Sequence, residues 1–349
     1  MSAPDVPVNE DPMLGGGAAN EGPQPGTQGR QQLLGWIERY ALVALFVVMM
    51  VFFTFWSKTS KTFLTTANVK NVLGNQAVIG ILAMAIIIPL VCGEFDFSVG
   101  AVAGLSQVLC AGFMARLGAP LLVAVGFAIG IGILVGLSNG NTVARIGVNS
   151  LIVTLGIASV LGGIVNWYTK GESIINGISK NLTNVGSGDW FGIPRTVYFL
   201  VVVASLVYYL LEHTPYGRYL HSIGSNREAA RLVGLPVERL VLSAFVLSGA
   251  LAGLAGVVLV ARNGGASPQV GTVADTLQAL SAAFLGATAI KPGRFNVLGT
   301  IVAIFFLAFS VTGLSLAGVA NWINDVFNGA ALFLAVLIST VIGRKRVGG

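Results

Sequence analysis

Charge is what this chain has least of. It carries 20 Lys and Arg and 14 Asp and Glu, 10% of its 349 residues, where a soluble domain carries about 25%. With 54% apolar residues beside so little charge, it reads as an all-α polytopic membrane protein. Cysteine is nearly as scarce. Cys92 and Cys110 both lie in or beside apolar runs, make neither a disulfide framework nor a metal spacing, and read as small buried hydrophobes. The two histidines, His213 and His221, fall in one polar stretch where they are expected to be solvated, and no serine has a histidine partner in view. There is no His-Glu-x-x-His, no Cys-x-x-Cys and no Gly-x-x-x-x-Gly-Lys-Ser/Thr loop, so the chain cannot cradle ATP by that mechanism. No catalytic role, no metal and no cofactor of its own are therefore expected. The net charge of +6 is dispersed between apolar runs, which reads as loop topology and not as nucleic-acid affinity.

What the chain has instead is apolar length. Runs near 40–56, 73–91, 97–115, 119–138, 149–168, 196–211, 240–260, 274–290, 297–317 and 323–342 are each read as a span, about ten transmembrane helices in a compact bundle. Glycines four apart, at Gly100 and Gly104, Gly126 and Gly130, Gly132 and Gly136, and Gly249 and Gly253, suit close helix crossings. Residues 1–35, rich in Gly, Pro and Gln, are expected to be a disordered cytoplasmic segment, 36–343 the transmembrane domain, and 344–349 a basic cytoplasmic tail. Ten spans put both termini on one side. Placing them inside leaves twelve Lys and Arg on the inner side against eight outside, the sign of the positive-inside rule.

Three polar stretches interrupt the apolar ones. In the loop 212–239, Ser225 is the expected N-cap of a helix over 226–233, with Glu228 at the capping-box spacing, Gly234 as its stop and Pro236 barring its return. Such a helix carries Ala229, Ala230, Leu232 and Val233 on one side and Arg227 and Arg231 on the other. The stretch Gly93–Gly100, GEFDFSVG, sets Glu94 and Asp96 between apolar runs with Pro89 upstream. Ionisable groups at membrane depth are costly and usually functional, so a broken or re-entrant helix lining a pathway is expected there, Asp96 also serving as an N-cap for the following span. The long connection 169–196 is polar and Gly-rich and carries Trp190. Other pathway candidates are Ser98, Asn75, Gln76, Asp275, Gln278, Asp325 and Asn328, with Trp167 or Trp322 offering a ring face; interhelical hydrogen bonding is the competing role for each amide.

The run Gly224, Asn226, Ala229, Ala230, Gly234, Leu235 is similar to the coupling loop of bacterial ABC importer permeases of the ribose type. Gly93–Gly100 is similar to their Gly-x-Ile-Asp-Leu-Ser-Val-Gly signature, with Asp96, Ser98 and Gly100 matching, and the 169–196 connection is similar to their outer loop. The resemblance implies a permease working as a homodimer with ABC ATPase subunits, which hold the ATP and Mg, and with an external solute-binding protein that delivers a ribose-type aldose. It assigns ATPase coupling to Gly224, Asn226, Glu228, Ala229, Ala230, Gly234 and Leu235. Lys58, Lys61, Lys170, Lys180 and Trp190 are the candidates for binding-protein docking, through an electropositive outer face. The implied location is the bacterial cytoplasmic (inner) membrane, among its lipids, with no nucleic-acid partner. Two alternatives stay open: a branched-chain amino acid permease, and an ion-coupled secondary transporter using Asp96 and Asp275 as proton or cation sites.

Overall fold

A computed structural model describes residues 25–320 and 322–347. The chain divides into two compact units, Met1–Ile37 and Glu38–Gly349. All ten apolar runs fall on helices: α1 Pro25–Phe55, α2 Thr66–Val91, α3 Val99–Leu117, α4 Leu121–Asn141, α5 Ser150–Thr169, α7 Arg195–His213, α10 Val237–Asn263, α11 Val273–Gly286, α12 Val297–Leu316 and α13 Trp322–Val347. Between them lie α6 Lys180–Ser187, α8 Pro215–Ser225 and α9 Arg227–Leu232, with a two-residue hairpin of β1 Asp189–Trp190 and β2 Ile193–Pro194. A π turn, Thr142–Ile146, closes α4.

Among the described residues seven helices are long and apolar enough to cross a membrane: α2, α3, α4 with its π turn, α5, α7, α10 and α12. The apolar parts of α1 and α13, Arg39–Phe55 and Trp322–Leu337, are shorter. The eighth run corrects the expectation. Helix α11 has 14 residues, about 21 Å at 1.5 Å per residue, and falls short of a hydrocarbon core of about 30 Å. It is a half-helix, preceded by a stretch of non-helical chain. At the start, residues 1–24 of the segment expected to be disordered lie outside the described residues; from Pro25 the chain is helical, in keeping with the helix-forming Gln, Arg and Leu of 28–34. At the other end α13 continues through 344–347 of the expected basic tail.

Burial sorts the helices into centre and rim. The most apolar windows of α2, α3 and α10 are 78%, 78% and 72% buried, against 22%, 28% and 33% for α4, α5 and α7. Within lipid the hydrophobic effect does not drive helices together, so close packing and hydrogen bonds must. The α4–α10 crossing is the closest expression of this: a Cβ on Gly132 would collide with the Gly249 carbonyl, one on Gly136 with the Phe245 carbonyl, and one on Gly249 with the Gly132 carbonyl. Gly100 and Gly104 meet the backbone of Thr272 and Gly271 in the same way. The fourth expected pair does not behave so, because Gly126 and Gly130 have nothing within 4 Å. They lie along α4 on the side away from α10, where the same spacing serves no crossing.

Gly249→Leu should therefore force α4 from α10 and cost about 1–3 kcal/mol or more, while Gly130→Leu should stay within about 0.5 kcal/mol of the parent. Thermal unfolding of the detergent-solubilised variants measures both; equal losses would contradict this packing.

Candidate functional site

Two breaks in the helices organise the polar groups, and each must satisfy backbone amides that no helix provides for. At the first, Pro89 loosens the end of α2 and Gly93 turns the chain at φ +84°. The amides that follow are caught by hydroxyls of α5: Phe95 N–H donates to Ser150 Oγ at 3.1 Å and Phe97 N–H to Thr154 Oγ1 at 3.0 Å. Asp96 lies between them, 4% exposed. Its Oδ1 accepts from Ser98 N–H at 3.0 Å and Ser98 Oγ at 2.6 Å, and its Oδ2 from Ser248 Oγ of α10 at 2.9 Å. Asn139 of α4 donates to Ser98 Oγ at 2.8 Å. Asp96 is thus no N-cap. Ser98 occupies the cap position, and Asp96 forms a local turn while tying α3, α4 and α10 together.

The second break joins α10 to α11. Ile174 and Ala266 exchange backbone hydrogen bonds at 2.8 and 2.9 Å. Gln107, fully buried in α3, donates through Nε2 to the carbonyls of Ser267 at 2.9 Å and Val270 at 2.6 Å. Asp275 closes the segment as N3 of a capping box, its Oδ2 accepting from Gly271 N–H and Thr272 N–H, both at 2.9 Å.

Beside this second break is a cavity of about 300 Å³. Asn75, Gln76, Asp275 and Gln278, four pathway candidates far apart in sequence, line it with Arg262, Asn263 and an apolar wall that includes Ile79, Leu82 and Leu259. Arg262 is held in place, lying against Gly74 and donating through Nε to Asn75 Oδ1 at 3.2 Å. Gln76 Oε1 is buried with no hydrogen-bond partner among the described residues. Arg262, Asn263 and Gln107 were missed in the sequence. Gln107 had a readable signal, a lone amide in the middle of an apolar run.

The remaining pathway candidates are elsewhere. Helices α2 and α10 run antiparallel, so the cavity lies where α10 finishes, and Glu94, Asp96 and Ser98 lie toward its start. Glu94 lies apart from this cavity. Its carboxylate, 10% exposed, forms an ion pair with Arg227 of α9. Asp325 is exposed, and Asn328 packs on α11 with its carbonyl accepting from Ser281 Oγ at 3.2 Å. Trp167 and Trp322 are 78% and 61% exposed and do not line this cavity.

The loop 212–239 folds as α8 and α9. The cap of α9 is Asn226 and not Ser225: Asn226 Oδ1 accepts from Ala229 N–H at 2.9 Å, because the chain at Asn226 is extended while Ser225 still belongs to α8. Glu228 makes no capping box; it reaches Arg231 at 3.5 Å. Gly234, at φ +82°, ends the helix with Leu235 N–H returning to Ala230 O and Gly234 N–H to Arg231 O. The apolar side chains divide against expectation. Ala230 is 3% exposed and faces the bundle, whereas Leu232 and Val233 are 89% and 76% exposed. At Gly224 a Cβ would collide with the Val91 carbonyl, so α8 abuts the end of α2. His221 is half-buried, not solvated. Burial pushes its pKa down, Glu212 opposes, and Arg294 and Lys291 add to the fall; Lys291 pairs with Glu212 at 2.6 Å.

Lys58, Lys61, Lys170, Lys180 and Trp190 all belong to connections at the cavity end. Lys58 lies 6.0 Å from the Trp56 ring centre, Lys180 opens α6, and Arg195 stacks over Trp190 at 5.2 Å. Lys70 pairs with Asp189 of the hairpin at 2.6 Å, and Phe191 at its tip is wholly exposed.

Residues 68–336 match a family described as branched-chain amino acid transport system / permease component. The ribose import permease protein of Escherichia coli strain K12 is 32% identical over 310 residues, 87% of this chain and 94% of that protein. The L-arabinose ABC transporter permease protein of Azospirillum brasilense is 32% identical over 86% of this chain and 87% of its own length. The fructose import permease protein of Rhizobium meliloti is 30% identical over 85% and 84%. No solved structure matches.

Ser248→Ala should leave Asp96 Oδ2 buried without its donor and cost about 1–2 kcal/mol, read as a lowered unfolding temperature; an unchanged temperature would remove Asp96 from the set of structural ties. His221 gives a pH dependence. Its folded form resists protonation, so as pH falls through the ordinary histidine range near 6.5 the unfolded chain takes up the proton first and the fold loses stability. Unfolding followed from pH 7.5 to 5.5 should show a decline that is shallower in His221→Gln.

Proposed function

The chain belongs to the branched-chain amino acid transport system permease component family, and from that premise we propose that it is the permease of an ATP-driven importer for a monosaccharide of the ribose type. It is a multi-pass protein of the bacterial inner membrane, with both termini on the cytoplasmic side. ATP hydrolysis belongs to a separate ABC ATPase, which binds the ATP and Mg. A second copy of the chain completes the translocation unit, and a solute-binding protein delivers the sugar at the cavity end, where Lys58, Lys61, Lys170, Lys180 and Trp190 provide the rim.

The observation that carries this reading is the cavity. Its polar wall is mostly amide, and Asn75, Asn263, Gln76 and Gln278 supply the mixture of donors and acceptors that sugar hydroxyls require, next to apolar side chains for the C–H faces. Two charged side chains share that wall: Asp275 closes the second break through Oδ2 and Arg262 holds Asn75 through Nε, and the four amides outnumber them. The ribose, arabinose and fructose permeases among the relatives support the sugar class.

Coupling is assigned to α9. Leu232 and Val233 are the apolar side chains at its end that turn outward, and they are the anchors offered to the ATPase; Ala229 continues the helix, Ala230 and Gly234 shape it, Asn226 and Leu235 fix its ends, and Gly224 seats the preceding α8 on α2. Glu228 and Arg231 are its exposed charges.

Liposomes holding the chain with its ATPase and binding protein should take up ribose on ATP. Gln76→Leu and Gln278→Leu should each lower uptake about tenfold, the order of one or two lost hydrogen bonds, with the complex intact. Leu232→Glu should abolish ATPase binding while the permease stays folded. Uptake driven by an ion gradient without the ATPase, or full ATPase binding by Leu232→Glu, would overturn the respective assignments.

A further inference from the structure

The Glu94–Arg227 ion pair belongs neither to the cavity nor to the outward face of α9, yet it connects the two regions. Helix α9 has six residues, too few to hold its own position, so it is fixed by what it touches. Ala230 is one such contact and Arg227 is another. Glu94 is nearly buried, and a carboxylate at that depth is stable only with its partner in place.

The chain on the far side of Glu94 is tightly held. One residue on, Phe95 N–H is bonded to α5; two residues on, Asp96 is bonded to Ser98 at the start of α3 and to Ser248 of α10; Asn139 brings in α4. Anything that moves Glu94 therefore acts on four helices through a segment of five residues. On the near side, Gly93 turns at φ +84° and Gly224 packs against Val91, so α8 bears on α2 directly before the turn. Two of the helices so gripped run on to the cavity. From Ser248, α10 continues to Leu259 and Arg262 in the cavity wall, and from Ser98, α3 continues to Gln107, which holds the second break through the Ser267 and Val270 carbonyls.

We propose that the Glu94–Arg227 pair is the link through which displacement of α9 reaches the cavity, making both side chains positioning residues that tie ATP hydrolysis to sugar movement. This rests on the import function proposed above. Neither residue touches sugar or ATP. Their role is to make α9 and the first helix break move as one body, along α10 on one branch and along α3 and the second break on the other.

The reconstituted complex of permease, ATPase and binding protein separates this link from a merely structural one. Glu94→Gln and Arg227→Gln are expected to lower ribose uptake about tenfold, the size of an ordinary coupling free energy, while ATPase binding and the hydrolysis rate stay within twofold of the parent. Sugar moved per ATP hydrolysed is the quantity read. Arg227→Lys, which keeps the charge, and the exchange Glu94→Arg with Arg227→Glu are expected to recover most of that ratio. Unchanged uptake per ATP in both single variants would overturn the link, as would uptake and hydrolysis falling in proportion, or a loss that neither Arg227→Lys nor the exchange restores. Parent liposomes that take up no ribose on ATP would overturn the import function instead, a result visible before any variant is compared.

Discussion

A helix that stops inside an apolar bundle leaves amides and carbonyls that neither water nor lipid will satisfy, and the rest of this structure answers to that constraint. The chain stops twice. At Gly93–Ser98 the loose amides are caught by the Ser150 and Thr154 hydroxyls, at 3.1 and 3.0 Å. Between α10 and α11 Asp275 catches the loose amides, Gln107 Nε2 donates to the loose Ser267 and Val270 carbonyls, and Ile174 and Ala266 exchange a backbone pair. Ser150, Thr154 and Gln107 come from helices distant in sequence from the breaks they serve. Each break is therefore also a joint at which several helices are fastened, and the buried Asp96, Ser98, Gln107, Asn139, Ser150, Thr154 and Ser248 all belong to the two fastenings.

The breaks lie toward opposite ends of α10, and that separation gives the molecule its division of labour. One end has the amide-lined cavity and the cationic connections around it; the other has α8, α9 and the exposed Leu232 and Val233. Between them run α3 and α10, which bury most of their surface and cross their neighbours through glycines too close for a side chain. Rigid connectors between two jointed ends suit a machine in which work done at one end must be felt at the other.

Helix existence was legible because ten apolar runs leave little else for the backbone to do. Helix length was not. The 274–290 run looks like its neighbours, and only the fastening of Gly271 and Thr272 against α3 reveals that α11 begins inside the bundle. Of the four glycine pairs, two are the facing sides of the one α4–α10 crossing, one meets the Gly271–Thr272 segment and one is empty, since period alone does not say which side of α4 faces α10. Asn75, Gln76, Asp275 and Gln278 were found by their polarity in apolar context and do meet on one cavity. Glu94 was found by the same signal and goes elsewhere, because intramembrane charge advertises a partner without naming it. The cap at α9 moved by one residue, from Ser225 to Asn226, where both types cap well and only the backbone angle decides.

The outward apolar pair on α9 has a consequence for the life of the chain before it is assembled. Leu232 and Val233, at 89% and 76% exposure, stand beside Arg231 and Glu228 on a helix of six residues. A subunit made without a protein to cover them presents water with a small greasy handle on a weakly anchored segment, the kind of feature by which chaperones and proteases recognise an unpaired chain.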